Sequence, residues 1–279
     1  MRPGTSPTLA YRMGDKTEEV AAGLIVGADG RASGVRRQVG IDLEHQREPN
    51  MIAGLLLDGV DDMPADADFM VSNDDVFMAS FQQGGGRVRV YLCPGVSQRH
   101  RFSGPSGVAE FLRSAAIKGL PFGEQLTRGE PAGPLATYPG DDSWTPRPFV
   151  DGVVLIGDAA GWNNPIVGQG LSIFMRDARS VRDVLRSGDF STGAFAAYGS
   201  ERVERMRRLR EGANFVAAAF GEDCDDRPVR RARFFEMQRE EPLFMALLGG
   251  LFAGPETGPA EAFDGTLTAR MRSATVKAE

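Results

Sequence analysis

The chain has 279 residues, 42% apolar and 25% charged, with 32 Lys and Arg against 38 Asp and Glu for a net charge of -6. This is ordinary for a globular protein; it excludes wholesale disorder, collagen-like repetition and a membrane bundle, and argues against nucleic-acid binding through bulk charge. Two cysteines cannot build a disulfide framework, and the opening MRPGTSPTLAYRMGDK lacks an apolar leader core, so a cytoplasmic location is expected.

Residues 21–26 (AAGLIV) read as a buried strand that ends in the turn cluster Gly27-Ala28-Asp29-Gly30. A helix over 33–39 follows, with Ser33 as its N-cap. The chain then changes character. Residues 51–57, 76–81 and 88–92 are strands separated by Asp, Gly and Pro clusters, and Gly84-Gly85-Gly86 is a hairpin turn. Val88, Val90 and Leu92 share one face with period two, opposite Arg87, Arg89 and Tyr91. A helix over 106–116 and a short strand at 136–138 complete an antiparallel layer, in which Met51, Met70 and Met78 are core filling.

Residues 153–156 (VVLI) return to the first style, the unbroken apolar run of a parallel strand covered on both faces. They end in Gly157-Asp158-Ala159-Ala160, and a helix spans 171–185. From Phe195 the chain reads as helical apart from breaks such as Gly221 and Pro228, and the tail beyond Gly254 as loop. The apolar run 243–254 is shorter than the about 20 residues of a membrane span. Arg202, Arg205, Arg207, Arg208 and Arg210, interleaved with Glu201, Glu204 and Glu211, read as a solvated or interdomain helix face. Trp144 and Trp162 read as packing.

Hydrolase and metal chemistry have no support. The histidines are His45 and His100, outside any H-E-x-x-H context; Cys93 and His100 are close in sequence by coincidence. Neither a G-x-S-x-G elbow nor a phosphate loop occurs, and no metal site is expected.

Two strand-to-turn junctions carry the chemistry. One is Gly27-Ala28-Asp29-Gly30-Arg31-Ala32-Ser33-Gly34-Val35-Arg36; the other is Gly157-Asp158-Ala159-Ala160 with Pro165-Ile166-Val167-Gly168-Gln169-Gly170-Leu171-Ser172. Each puts a carboxylate at the end of a buried strand, where open α/β sheets place their ligands. Gly168 and Gly170 let backbone lie close to a flat ligand, and the helix that starts near Gly170 offers free N–H groups.

This pair, in this order and around a strand-rich block, resembles the two downstream fingerprints of the FAD-dependent aromatic-ring monooxygenases, the para-hydroxybenzoate hydroxylase-like flavoproteins. The likeness covers residues 15–187, with a looser match of the helical tail. It implies FAD as cofactor and NAD(P)H as reductant, in hydroxylation or epoxidation of an aromatic or polyketide-like small molecule. It also implies that Asp29 and Gly30 lie near the FAD pyrophosphate, with Arg31 and Arg36 as phosphate partners. Asp158, after Gly157, takes the ribityl or ribose hydroxyls. Pro165, Gly168 and Gly170 run beside the isoalloxazine ring, and the backbone of Leu171 and Ser172 faces its pyrimidine edge. No side chain is singled out as a general base.

Two departures stand out. Gly161-Trp162 replaces a His that many relatives carry, and the G-x-G-x-x-G that opens a FAD-binding unit is absent. The expected fold is therefore α/β: a partial Rossmann-like FAD-binding layer from residues 1–45 and 150–190, an antiparallel β-sheet substrate layer over 46–149, and C-terminal helices over 191–279. The chain reads as an N-terminally truncated relative with an uncovered strand edge, open to a partner chain that supplies the missing unit. The alternatives are an inactive fragment, one part of a split flavoprotein, or a flavin-dependent reductase of the same fold. The halogenase signature W-x-W-x-x-P is absent.

Overall fold

The computed structural model describes residues 1–46, 49–64, 66, 68–72, 76–94, 102, 104–116, 122–222 and 224–273; His100 lies outside the described residues. The chain divides into two units. The first comprises Met1–Arg47, Asp141–Gly212 and Leu247–Pro259, the second Glu48–Gly140, Ala213–Ala246 and Ala260–Glu279. The helical residues after 191 are thus shared between them.

In the first unit, strand Val153–Leu155 runs parallel to Ile25–Gly27, and Phe149–Val150 pairs antiparallel on its other side. Val153, Val154 and Leu155 are all fully buried, as an unbroken apolar strand requires. Strand alternation sends Val154 to one face, with Phe149, Ile156, Val181, Phe195 and Tyr198. Leu155 goes to the other, with Ile41, Ala160, Val35 and Val39. Helix Gly170–Ser187 and the start of helix Ala196–Phe220 therefore cover one face, and the short helix Gly34–Gln38 covers the other. The expected strand over 21–26 is displaced. Ala21 closes a hairpin of Thr8–Met13 with Lys16–Ala21, and Gly23, which cannot pack a side chain into a ladder, marks a bend before Ile25. Strand Glu44–Gln46 pairs with Asp142–Trp144.

The second unit is built on an antiparallel sheet in the order Ala136–Pro139, Met51–Asp58, Arg87–Pro94, Val76–Gly84, Phe69–Ser72, with Glu130–Pro131 also on Met51–Asp58. Helices Gly104–Ala115 and Gly123–Arg128 contribute Phe111 and Leu126 to a core with Leu55, Leu57, Met78, Val88, Val90 and Leu92. The two long hairpin strands exceed their expected lengths because the triple glycine turn, all at positive φ, lets pairing run to Gly84 opposite Arg87. Met51 and Met78 are buried as expected; Met70 is 58% exposed, on the edge strand. Burial pushes the Cys93 thiol up to about 12 and keeps it inert. Phe215, Phe220, Phe234 and Phe244 pack edge to face among the helices. The tail beyond Gly254 is not all loop: turns at Pro255–Thr257 and Ala260–Phe263 lead to helix Thr266–Arg272, which buries Leu267 and Met271. No helix among the described residues is long and apolar enough to cross a membrane.

Candidate functional site

The first junction turns tightly because Gly27 has no side chain. A Cβ there would lie 2.6 Å from Leu155 Cδ2 and 2.9 Å from Val35 Cγ1. Beyond it, Asp29 accepts from Ser33 Oγ at 2.5 Å and from the amides of Gly34 at 2.6 Å and Val35 at 3.0 Å. Burial pushes its carboxyl upward, but these hydrogen bonds outweigh that and hold it below the usual range. Asp29 is therefore also the anchor of helix Gly34–Gln38, whose N-cap Ser33 accepts from the Arg36 amide at 2.9 Å. Gly30 follows at φ +77 with open space where a side chain would be.

The second junction meets the first directly. Buried Arg36 donates from Nη1 to the Ala159 carbonyl at 2.9 Å and from Nη2 to the Arg31 carbonyl at 3.0 Å. Arg31 Nε lies 3.5 Å from Asp158 Oδ2 and its Nη1 lies 3.7 Å from Asp141 Oδ1, while its guanidinium sits 5.0 Å from the centre of the Trp162 ring. Asp158 itself stays 39% exposed. Downstream, Asn164 Oδ1 accepts from the Ile166 amide at 3.0 Å and caps the turn Pro165–Val167. Gly168 adopts φ +67. The 18-residue helix from Gly170 then begins with no side-chain cap, and neither Gly168 nor Gly170 has a heavy atom within 4 Å of a built Cβ. Leu171 and Ser172 are exposed on its first turn.

The turn is held from beneath by a network that the sequence reading missed. Asp177, fully buried, accepts from the Gly157 amide at 2.9 Å, Arg202 Nε at 2.9 Å and Arg205 Nη2 at 2.6 Å. Arg202, 1% exposed, also donates to the carbonyls of Gly157, Ala160 and Gly161, at 3.0, 2.9 and 3.0 Å. Tyr198 donates to the Leu155 carbonyl at 2.7 Å, and burial pushes its phenol upward. This corrects the reading of Arg202 and Arg205 as part of a solvated or interdomain face: both are buried against partners within the first unit. Arg207, paired with Glu204, fits the solvated description; Arg208, only 17% exposed, also donates to the carbonyls of Pro255 and Gly258, at 3.0 and 3.1 Å. The signal was present. Asp177 interrupts the buried stripe Ile173–Val181 at i+4, and Arg202 and Arg205 share a helix face with buried Tyr198 and Leu209.

Behind the loop, buried Asp142 accepts on Oδ1 from Asn163 Nδ2 at 2.5 Å and the Asn164 amide at 3.0 Å. Arg210 stacks 3.7 Å over Trp144. Burial pushes the Asp142 carboxyl up to about 6, against those hydrogen bonds and the Arg210 charge. The unfolded chain releases this proton near pH 4, so the group favours the fold most below about pH 4, and that contribution is lost as pH rises through about 6. Asp142→Asn keeps an oxygen for both donors. It is expected to raise stability above about pH 6 by up to about 3 kcal/mol and to flatten the slope between about pH 4 and 6, read by urea unfolding at several pH values.

Trp162 Nε1, Asn163 Oδ1 and Asp141 Oδ1 are buried without a hydrogen-bond partner among the described residues. Together with the uncapped helix start and the open glycines, they suit a bound group that brings both acceptors and hydroxyl donors.

Residues 2–213 match the family described as FAD binding domain. The chain belongs to this FAD-binding family. Among similar proteins, kynurenine 3-monooxygenase of Salinispora tropica is 28% identical over 240 residues, covering 80% of this chain and 50% of that protein. Digeranylgeranylglycerophospholipid reductase 2 of Methanothermobacter thermautotrophicus is 25% identical over 220 residues, covering 76% and 53%. The chain thus spans about half the length of the curated relatives it matches. Among solved structures, CabE, an aromatic hydroxylase from angucycline biosynthesis, superposes with a TM-score of 0.66 at 21% identity, covering 91% of this chain and 51% of that one. The mixed α/β architecture with antiparallel sheet and C-terminal helices is that of FAD-binding flavoproteins, and FAD is the cofactor of this family.

Proposed function

We propose that the chain is the flavin-holding part of an NAD(P)H-dependent monooxygenase that hydroxylates or epoxidises an aromatic or polyketide-like small molecule. The observation that carries this reading is the junction of both motif turns, bridged by Arg31 and Arg36, at the carboxyl ends of two adjacent parallel strands. FAD, when bound, supplies the redox chemistry: it accepts a hydride from NAD(P)H and activates oxygen. The protein's part is to hold, orient and keep dry. Asp158 would accept from the ribityl or ribose hydroxyls. The Pro165–Gly170 turn would lie along the ring, and the amides of Leu171 and Ser172, free at an uncapped helix start, would donate to its pyrimidine edge. Asp29 and Gly30 would border the pyrophosphate, with Arg31 as its cation.

A flavin titration of the purified chain, read by quenching of flavin fluorescence, tests this. FAD is expected to bind at micromolar concentration or tighter. Asp158→Ala is expected to weaken it by roughly tenfold or more, the worth of charge-assisted hydrogen bonds. A folded chain that leaves flavin fluorescence unchanged would sink the reading. Likeness to the reductase keeps a second reading, a flavin-dependent reductase of the same fold. Substrate turnover without oxygen would favour it.

A further inference from the structure

The loop that leads into the Pro165–Gly168 turn is zipped to strand Asp142–Trp144. The Ser143 amide donates to the Trp162 carbonyl at 2.8 Å. Next to it, Oδ1 of Asp142, 2% exposed, takes both the Asn163 side chain and the Asn164 amide. Asn164 in turn caps the turn through the Ile166 amide. Asn163 is 6% exposed, and its own Oδ1 has no hydrogen-bond partner among the described residues, so the bond to Asp142 is what orients its amide. One carboxylate thus fixes two consecutive loop residues from outside the loop. The charged and titratable groups around it are Arg210 on helix Ala196–Phe220, Asp141 beside it in the chain, and Glu44 and His45 on the paired strand. Arg31 Nη1 approaches from the Asp141 side, 3.7 Å from that carboxylate.

A buried carboxylate weakens the fold at neutral pH, and an amide in its place would meet the same two donors without being charged. What the amide lacks is bond strength, since hydrogen bonds to an ionised acceptor are roughly twice as strong as neutral ones. We infer that Asp142 is a positioning residue for the proposed flavin turn: its ionised form holds residues 162–164, and through them Pro165–Gly168, in the binding conformation, and its protonation loosens them. Burial places that change at about 6. The consequence for flavin rests on the proposed flavin site; the coupling of Asp142 to the loop does not.

The test is the flavin titration repeated from pH 5 to 8 on wild type and Asp142→Asn. Wild type is expected to bind FAD severalfold more weakly at pH 5 than at pH 8. The loss is at most about tenfold, because a group that titrates at about 6 is ionised in roughly one chain in ten at pH 5. Asp142→Asn, a neutral isostere, is expected to bind at pH 8 as weakly as wild type at pH 5 and to show no pH dependence between them. At pH 8 the same variant is expected to unfold at a higher urea concentration than wild type. General destabilisation would lower affinity and stability together, so this split reads positioning alone. A flavin-free signal comes from the chain's two tryptophans, Trp144 two residues beyond Asp142 and Trp162 next to Asn163. Their fluorescence is expected to titrate with a midpoint near 6 in wild type and not in Asp142→Asn. His45→Gln is the control, since that imidazole lies 5.9 Å from the Trp162 ring, and it is expected to keep the midpoint. Wild-type flavin affinity that is constant from pH 5 to 8 would overturn the inference. So would Asp142→Asn that binds FAD as wild type does, or a tryptophan transition near pH 6 that survives this substitution. A folded chain that binds no flavin at any pH would sink the flavin reading instead, and the tryptophan titration alone would then decide whether Asp142 holds the loop.

Discussion

Asp177→Ala is expected to lower the unfolding free energy by about 3–5 kcal/mol, the usual consequence of removing one member of a buried charge cluster. The effect is large because the carboxylate has three partners and is fully buried. Its loss leaves Arg202, 1% exposed, without a carboxylate partner among the described residues and Arg205, 6% exposed, with Glu201 alone, and strips the Gly157 amide of its acceptor. Arg202 in turn holds three carbonyls of the turn that carries Asp158, so flavin affinity is expected to fall with stability. Urea unfolding of wild type, Asp177→Ala and Glu204→Ala checks this. Glu204 is half exposed and pairs with Arg207 at the surface, where such pairs contribute about 0–1 kcal/mol, while Arg208 keeps the Pro255 and Gly258 carbonyls without it, so its removal is expected to change little. An Asp177→Ala chain that unfolds at the wild-type urea concentration would show that the network does not support the turn.

Gly161→Ala is the second large effect, and its cause is steric. Gly161 adopts φ +111, and a Cβ there would sit 2.3 Å from the Ser143 carbonyl oxygen and 2.7 Å from the Trp144 Cα. Both obstacles are backbone, on the strand paired with Glu44–Gln46, so no side chain can swing aside. Holding an ordinary residue in such a conformation costs about 1–3 kcal/mol, and overpacking adds about 1–3 kcal/mol. A total of roughly 2–6 kcal/mol is expected, towards the upper end because the clash is with main chain. Gly30→Ala provides the comparison. Gly30 also has positive φ, but nothing lies within 4 Å of a built Cβ, so only the conformational part should appear. Thermal unfolding of the two variants side by side separates the two contributions, and equal losses would refute the steric account.

Much of the fold was legible because it rests on local signals. The apolar run at Val153–Leu155, the Ser33 cap and the triple glycine hairpin each depend on a few adjacent residues and appear where the pattern places them. The strand at 21–26 was misplaced by a few residues, because the hairpin before it takes Ala21 through a pairing with Thr8 that no local pattern specifies. Met70 read as core and is exposed, since alternation identifies a strand face but not whether anything covers it.

The candidate site divides the same way. The two motif turns, their glycines and their carboxylates could be read from the chain, because close backbone approach and strand-end acidic residues leave a recognisable order of residue types. By themselves those residues determined the family. Tertiary structure decided how the turns are held. Arg36 reaches across 123 residues to Ala159, and Arg202 reaches back 42 residues to Ala160. Arginines in a run of mixed charge look alike in sequence whether they face water or the interior. Their energies differ by several kcal/mol because a buried guanidinium needs every donor matched, and only the packed helices determine which side chain meets that demand.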